Sequence, residues 1–80
     1  MKILIQNFAI LKDYFSSSLE IELGDTAKTA DAIQALKELN PKASNVLDSC
    51  RIAVDETLVS RQFDLQEGAT LFLLPPSSGG

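Results

Sequence analysis

Residues 19–39 read LEIELGDTAKTADAIQALKEL and contain the passage from a strand to a helix that decides the fold. Leucine and isoleucine alternate with glutamate over residues 19–23, which is typical of a half-buried strand. Gly24-Asp25 ends this strand, and Thr29 is then a good helix N-cap. Apolar side chains follow at helical spacing, at Ala30, Ile33, Leu36 and Leu39. The segment therefore predicts a strand followed by an amphipathic helix that covers one face of a sheet.

The flanking sequence adds further strands on both sides. Residues 2–8 predict a first strand, with Ile3 and Ile5 on one face and Phe8 on the other, more polar face. Residues 9–15 predict a helical turn. Beyond the helix we expect a polar loop containing Ser44, Asn45 and Asp48. Three strands are then predicted over residues 51–54, 57–59 and 70–74, with turns at residues 55–56 and 65–68.

The order of these elements predicts an α+β fold. One helix is available to cover a mixed sheet of about five strands. The compact solution is the β-grasp, in which the first and last strands lie side by side and the main helix packs on one face. We expect one domain over residues 1–80, with a folded body over 1–74 and a flexible, extended tail over 75–80.

The composition excludes several kinds of active site. The chain has 80 residues, no histidine and one cysteine. Catalytic triads and His-ligated metal sites need an imidazole, and a lone cysteine forms neither an internal disulfide nor a Cys-rich zinc site. We therefore expect no metal, no permanently bound cofactor and no self-contained active site.

The charge balance bears on partners. The net charge of −4 opposes binding to nucleic acid or to an anionic membrane and favours basic protein partners. No apolar run approaches the roughly 20 residues that span a bilayer. Without a disulfide framework or a signal peptide, we expect a cytoplasmic protein.

The last segment, residues 75–80, reads PPSSGG. Two prolines cannot continue a strand, and the small residues that follow could carry a carboxylate into a narrow channel of another protein. A Gly/Ser end on its own is equally consistent with a disordered end or a cloning remnant that has no function.

The wider C-terminal third carries a family resemblance. An Ala-Val strand at residues 53–54, TLVS at 57–60, Gly68, an apolar strand and the ending PPSSGG occur in this order. Together they resemble the small subunit of molybdopterin synthase, a sulfur carrier with a ubiquitin-like fold. The double proline favours this branch over the thiamine-pathway sulfur carrier and the ubiquitin-related modifiers, which also end in Gly-Gly.

The resemblance implies a mechanism and a set of partners. A ubiquitin-activating-like adenylyltransferase would use ATP to adenylate Gly80, next to Gly79, and a sulfur donor protein would convert the adenylate to a thiocarboxylate. The sulfur would then pass to a pterin precursor in the active site of a large catalytic subunit, within a complex of two small and two large subunits. This chain would be the non-catalytic sulfur-donor subunit. The alternatives left open are thiamine-pathway sulfur transfer and conjugation of Gly80 to protein lysines.

Strand parity predicts a docking surface. If the first and last strands are neighbours, Phe8, Phe72 and Leu74 share a face that points away from the helix. Leu58 belongs either to this face or to the core. We expect partner contacts from these residues and from the tail: Phe8, Leu58, Phe72, Leu74, Pro75, Pro76, Ser77 and Ser78.

The remaining cysteine, arginine and acidic residues that could take part in catalysis or binding are expected to have structural roles or to be solvated. Cys50 is expected to be structural rather than catalytic. Arg51 and Arg61 are expected to be solvated, with pairing to a partner's acidic groups as the alternative. Asp55 and Glu56 are expected to form a turn and not an acid–base pair.

Overall fold

The structure is a computed structural model that describes residues 1–76. The predicted tail residues Ser77, Ser78, Gly79 and Gly80 lie outside the described residues. Strands are β1 (Lys2–Asn7), β2 (Ser18–Glu22), β3 (Arg51–Val54), β4 (Thr57–Val59) and β5 (Thr70–Leu74). The α-helices are α1 (Thr29–Leu39) and α2 (Ser44–Ser49), and short 3-10 helices cover Ala9–Asp13 and Pro41–Ala43.

The strands form one mixed sheet in the order β2-β1-β5-β3-β4. Strands β1 and β5 pair in parallel, with Ile5 opposite Leu71, and all other pairs are antiparallel. The predicted pairing of the first and last strands is confirmed, and so is the ubiquitin-like β-grasp fold. The last strand of the described chain thus lies at the centre of the sheet.

The core lies between the sheet and α1. Side chains of the two central strands point into it and are fully buried, at Ile3, Ile5, Leu71 and Leu73. The inner face of α1 meets them with Ala32, Ile33 and Leu36. The predicted parity of β1 and β5 is therefore correct. The opposite sheet face is left without a covering helix among residues 1–76.

The two ends of α1 differ from the prediction. The N-cap is Lys28, whose backbone N–H donates to the Asp31 carboxylate at 2.8 Å. Thr29 is instead the first helical residue; it is fully buried, and its hydroxyl donates to the Ser60 carbonyl at 2.6 Å. Leu39, predicted on the buried stripe, is 62% exposed because it ends the helix beside the outer strand β2.

The polar loop predicted around Ser44, Asn45 and Asp48 is also wrong. This segment forms α2, preceded by the 3-10 helix at Pro41–Ala43. Ala43 and Leu47 are fully buried. The segment is helical because this conformation places both apolar side chains in the core. Their spacing of four residues was the signal for a helix face.

Strand β1 ends one residue earlier than predicted. Phe8 is already outside the strand, and Ala9 has a left-handed φ of 51° that turns the chain into the 3-10 helix. The buried Asn7 secures this turn: its backbone N–H donates to the Ser17 carbonyl and its side-chain amide to the Ser16 carbonyl. Across residues 1–76 we find no helix with the length and apolar character that crossing a membrane requires.

Candidate functional site

The candidate site is an apolar surface on the sheet face opposite α1. A groove of about 410 Å³ opens there. We call its residues the docking patch; they are Phe8, Ala53, Glu56, Leu58, Phe72 and Leu74. The structure thus brings together Phe8, Phe72 and Leu74, which strand parity predicted on one face, and adds Leu58, which the sequence left open. Their role in binding a partner stays a prediction.

An aromatic pair forms one wall of the docking patch. The rings of Phe8 and Phe72 stack with centroids 6.1 Å apart and planes inclined by 22°. The turn at Ala9 places Phe8 over the neighbouring strand, and 39% of its surface remains exposed. Aromatic pairs of this kind contribute about 0.5 to 1.5 kcal/mol beyond area burial, which favours this arrangement of the two rings at the surface.

The register of three strands explains the groove itself. Ala53 of β3 lies opposite Leu58 of β4 on one side and opposite Phe72 of β5 on the other. The small Ala53 side chain therefore forms a low floor between two large apolar residues. Leu58 is 54% exposed, so the structure assigns it to the patch and not to the core. Ala53 was not among the predicted site residues, although a small residue between bulky neighbours on paired strands was the available signal.

The chain leaves the sheet at the docking patch. Leu74 is both the last residue of β5 and a patch residue, and it is followed by half-buried Pro75 and exposed Pro76. The tail predicted to carry the reactive carboxylate therefore begins at the patch. The site residues predicted at Ser77, Ser78, Gly79 and Gly80 fall outside the described part of the chain.

The β3–β4 turn borders the patch with a negative charge. Asp55 and Glu56 form this turn with φ values of 47° and 74°, the left-handed region that favours glycine. The turn role predicted for them is confirmed. Glu56 places its carboxylate beside an otherwise apolar groove, where it would attract a basic side chain of a partner.

The thiol of Cys50 is not part of this site. It is 5% exposed, and its Sγ donates to the Val46 carbonyl at 3.2 Å. Burial raises the pKa of the Cys50 thiol, and the nearby Arg61 guanidinium opposes this only in part. The thiolate is therefore disfavoured, in keeping with the predicted structural role. Within residues 1–76, no cluster of three potential acidic, Cys or His metal ligands occurs.

Arg61 has a role that the sequence did not reveal. Its guanidinium donates to the carbonyls of Leu47 and Asp48, each at 3.0 Å, at the end of α2. The expectation that Arg61 is solvated is wrong, because the last carbonyls of a helix need donors and a side chain from a later loop supplies them. Arg51 is exposed at the start of β3, as expected.

Comparison with known sequences identifies relatives over most of the chain. The sequence profile of the ThiS family matches residues 5–80. A molybdopterin synthase sulfur carrier subunit from Chlamydomonas reinhardtii is 31% identical over 77 residues, covering 84% of this chain and 93% of that protein.

Solved structures share the fold. SAMP1 of Haloferax volcanii superposes with a TM-score of 0.88 at 24% identity, covering both chains completely. A putative molybdopterin converting factor subunit 1 from Pyrococcus furiosus gives a TM-score of 0.86 at 26% identity, covering 96% of this chain and 99% of the other. A chain from the complex of subunits 1 and 2 of molybdopterin-converting factor from Helicobacter pylori gives 0.71 at 23% identity, with full coverage of both.

Proposed function

Because the chain belongs to the ThiS family, we propose that it is the sulfur carrier subunit of a molybdopterin synthase and that Gly80 bears the sulfur. The observation that carries the proposal is the position of the docking patch. The preformed aromatic surface lies where β5 passes into the Pro-Pro segment, so a partner bound to the patch also receives the tail.

The chemistry proposed for Gly80 follows from the weakness of a carboxylate as an electrophile. A ubiquitin-activating-like adenylyltransferase transfers AMP from ATP to the carboxylate and releases pyrophosphate. A sulfur donor protein then supplies sulfur at the sulfide level, which attacks the acyl carbon; the carbon–oxygen bond to AMP breaks, AMP leaves, and a thiocarboxylate remains. Its sulfur is the nucleophile toward the pterin precursor in the large subunit. Gly79 and Gly80 lack a Cβ and fit a narrow channel in extended form.

The docking patch supplies the proposed contact with the large catalytic subunit. Burying its Phe and Leu side chains contributes about 1.5 to 3 kcal/mol for each fully buried residue. Association itself costs about 4 to 15 kcal/mol, so patch and tail together, rather than the patch alone, support a specific complex. The similar Helicobacter pylori fold comes from a complex of subunits 1 and 2, which supports a partner of this kind. Two small and two large subunits are the assembly we propose.

A ubiquitin-like modifier is the second candidate. The observation that favours it is the high structural similarity to SAMP1, a small archaeal modifier protein. In this case Gly80 would end in an isopeptide bond to a lysine and not in a thiocarboxylate. A third alternative is sulfur transfer for thiamine synthesis by the same thiocarboxylate chemistry.

Intact-mass spectrometry separates the first two candidates. The full chain is incubated with ATP, an adenylyltransferase of the family and a sulfur donor, and a chain lacking Gly80 is the matched control. A sulfur carrier exchanges one oxygen for sulfur in the full chain only. Lysine conjugates without any thiocarboxylate would refute the carrier proposal. Supplying the thiocarboxylated chain to molybdopterin synthase large subunit or to a thiazole synthase then identifies the acceptor that consumes the sulfur.

A further inference from the structure

A second surface lies at the β2 edge of the sheet, on the side opposite to the β3–β4 turn. Strand β2 is an outer strand, and β1 is its sole neighbour in the sheet formed by residues 1–76. The Asn7 N–H donates to the Ser17 carbonyl and the Leu23 N–H to the Met1 carbonyl. Since hydrogen-bonding direction alternates along a strand, the odd-numbered β2 residues face β1. The backbone N–H and C=O groups of Ser18, Glu20 and Glu22 therefore point outward.

An apolar groove runs beside this edge, between β2 and α1. Its volume is about 440 Å³. Leu19 and Ile21 of β2 lie on the core side of the sheet and are half-buried, and Leu39 of α1 stands opposite them with 62% of its surface exposed. The groove has room for one further extended segment, which would cover Leu39 and lie next to the outer edge of β2.

The rim of the groove is acidic. Glu20, Glu22 and Glu38 line it, and none of the other lining residues within residues 1–76 is basic. Lys2 is the cross-strand partner of Glu22, whereas Glu20 lies opposite the apolar Leu4. The edge therefore presents uncompensated negative charge next to its outward-facing backbone groups.

We propose that this edge binds an extended, basic segment of another protein as an additional strand. Outward N–H and C=O groups would complete the ladder, as in other cases of β-strand addition. Apolar side chains at alternate positions of the segment would fill the groove against Ile21 and Leu39. The intervening Lys or Arg side chains would lie on the other face, beside Glu20 and Glu22.

A second copy of this chain does not suit the edge. Antiparallel pairing of two β2 strands would bring glutamates together across the interface, and like charges opposite each other destabilise a sheet. The segment at residues 75–80 carries no basic residue and does not suit it either. Charge complementarity thus selects a basic segment from a different protein.

Synthetic peptides test the proposal with the full chain. The probe is a capped heptapeptide that alternates Lys and Val, and its control has the same composition arranged as Lys-Lys-Val-Val-Val-Lys-Lys. We expect only the alternating peptide to shift the amide resonances of Ser18, Glu20 and Glu22. Because successive N–H groups of a strand face opposite edges, N-methylation of one alternate set of residues should abolish binding and of the other set should not.

Variants of the chain inside and outside the groove provide the protein-side control. Glu20→Gln with Glu22→Gln should weaken peptide binding about fivefold, as expected for exposed ion pairs. Asp55→Asn with Asp64→Asn removes the same charge at residues that line neither the groove nor the docking patch, and it should leave binding unchanged. Leu39→Ser should weaken binding, whereas Leu58→Ser in the docking patch, at similar exposure, should not.

Three results would overturn the proposal. Equal binding of the alternating and block peptides would reduce the interaction to general attraction between opposite charges. Equal effects of the two N-methylated peptides would exclude strand addition. Absence of binding, combined with self-association of the Glu20→Gln/Glu22→Gln variant, would show that these glutamates serve only to prevent edge-to-edge pairing.

Discussion

Phe8 and Phe72 stack with nearly parallel rings on the exposed side of the sheet, although they come from opposite ends of the folded chain. Neither ring is part of the buried core. Phe8→Asp should therefore leave the chain folded and weaken binding to a molybdopterin synthase large subunit by at least about tenfold, since aromatic anchors dominate such interfaces. Titration calorimetry measures the affinity.

The matched control for this variant is Phe63→Asp. Phe63 has a similar exposure, 41%, but does not line the docking patch. We expect its substitution to leave the affinity unchanged. Unfolding of Phe8→Asp, seen as lost amide dispersion in NMR spectra, would show that the assignment of Phe8 to the surface is wrong.

Deletion of Gly80 should abolish sulfur loading without changing the thermal unfolding temperature. Among residues 1–76 the buried core cluster runs from Ile3 to Leu73, and the deletion removes none of its members. The thiocarboxylate mass shift and the unfolding midpoint are measured on the same preparation. A truncated chain that still supports pterin thiolation would contradict the proposed role of Gly80.

Glu56→Gly should stabilise the protein by about 0.5 to 1 kcal/mol. A φ of 74° strains any residue with a Cβ, and relief of this strain exceeds the extra entropy that glycine loses on folding. Urea denaturation measures the free energy of unfolding. The converse control is Gly68→Ala, which introduces a Cβ at a φ of 79° and should destabilise the protein by about 1 kcal/mol.

Arg61→Ala should destabilise the protein by about 1.5 to 3 kcal/mol, the usual range for hydrogen bonds from a charged group. The carbonyls of Leu47 and Asp48 would lose their donor. Arg61→Lys should restore only part of the loss, since an ammonium does not reproduce the planar donor geometry. Equal stability of Arg61→Ala and wild type would show that water replaces the guanidinium without loss.

Cys50 should contribute a pH dependence at the alkaline end. Burial raises the pKa of its thiol in the folded state, so the unfolded chain loses its proton first as the pH rises. The free energy of unfolding should fall as the pH passes the ordinary thiol pKa of about 8.5, and continue to fall up to the raised value. Cys50→Ala should remove this component. An unchanged alkaline profile in that variant would assign it to other groups.

The order of the elements predicted the sheet, and strand parity predicted which residues share a face of it. Ile3, Ile5, Leu71 and Leu73 were placed correctly on the buried face because a strand has only two faces. The same reasoning placed Phe8 and Phe72 together on the open face. Parity could not decide whether Leu58 was core or surface, since that depends on which strand lies next to β4.

The errors lie where tertiary contacts override local signals. Thr29 is a good N-cap residue, but its hydroxyl is used by the Ser60 carbonyl, and Lys28 becomes the cap. Leu39 fits the helical stripe, yet the sheet ends before it can be covered. Arg61 serves helix α2 across a gap of more than ten residues, a relationship that no local pattern encodes.

The central place of β5 also constrains how this protein is made. During synthesis, β1 and β2 can pair early, and β3 and β4 can form a hairpin, but these two units share no strand contact in the sheet. Only when Thr70–Leu74 has left the ribosome can it insert between them and join the two halves. Such sequence-distant pairing makes folding a late event. A nascent chain that stops before β5 cannot complete the sheet or assemble the surface on which Phe8 and Phe72 meet.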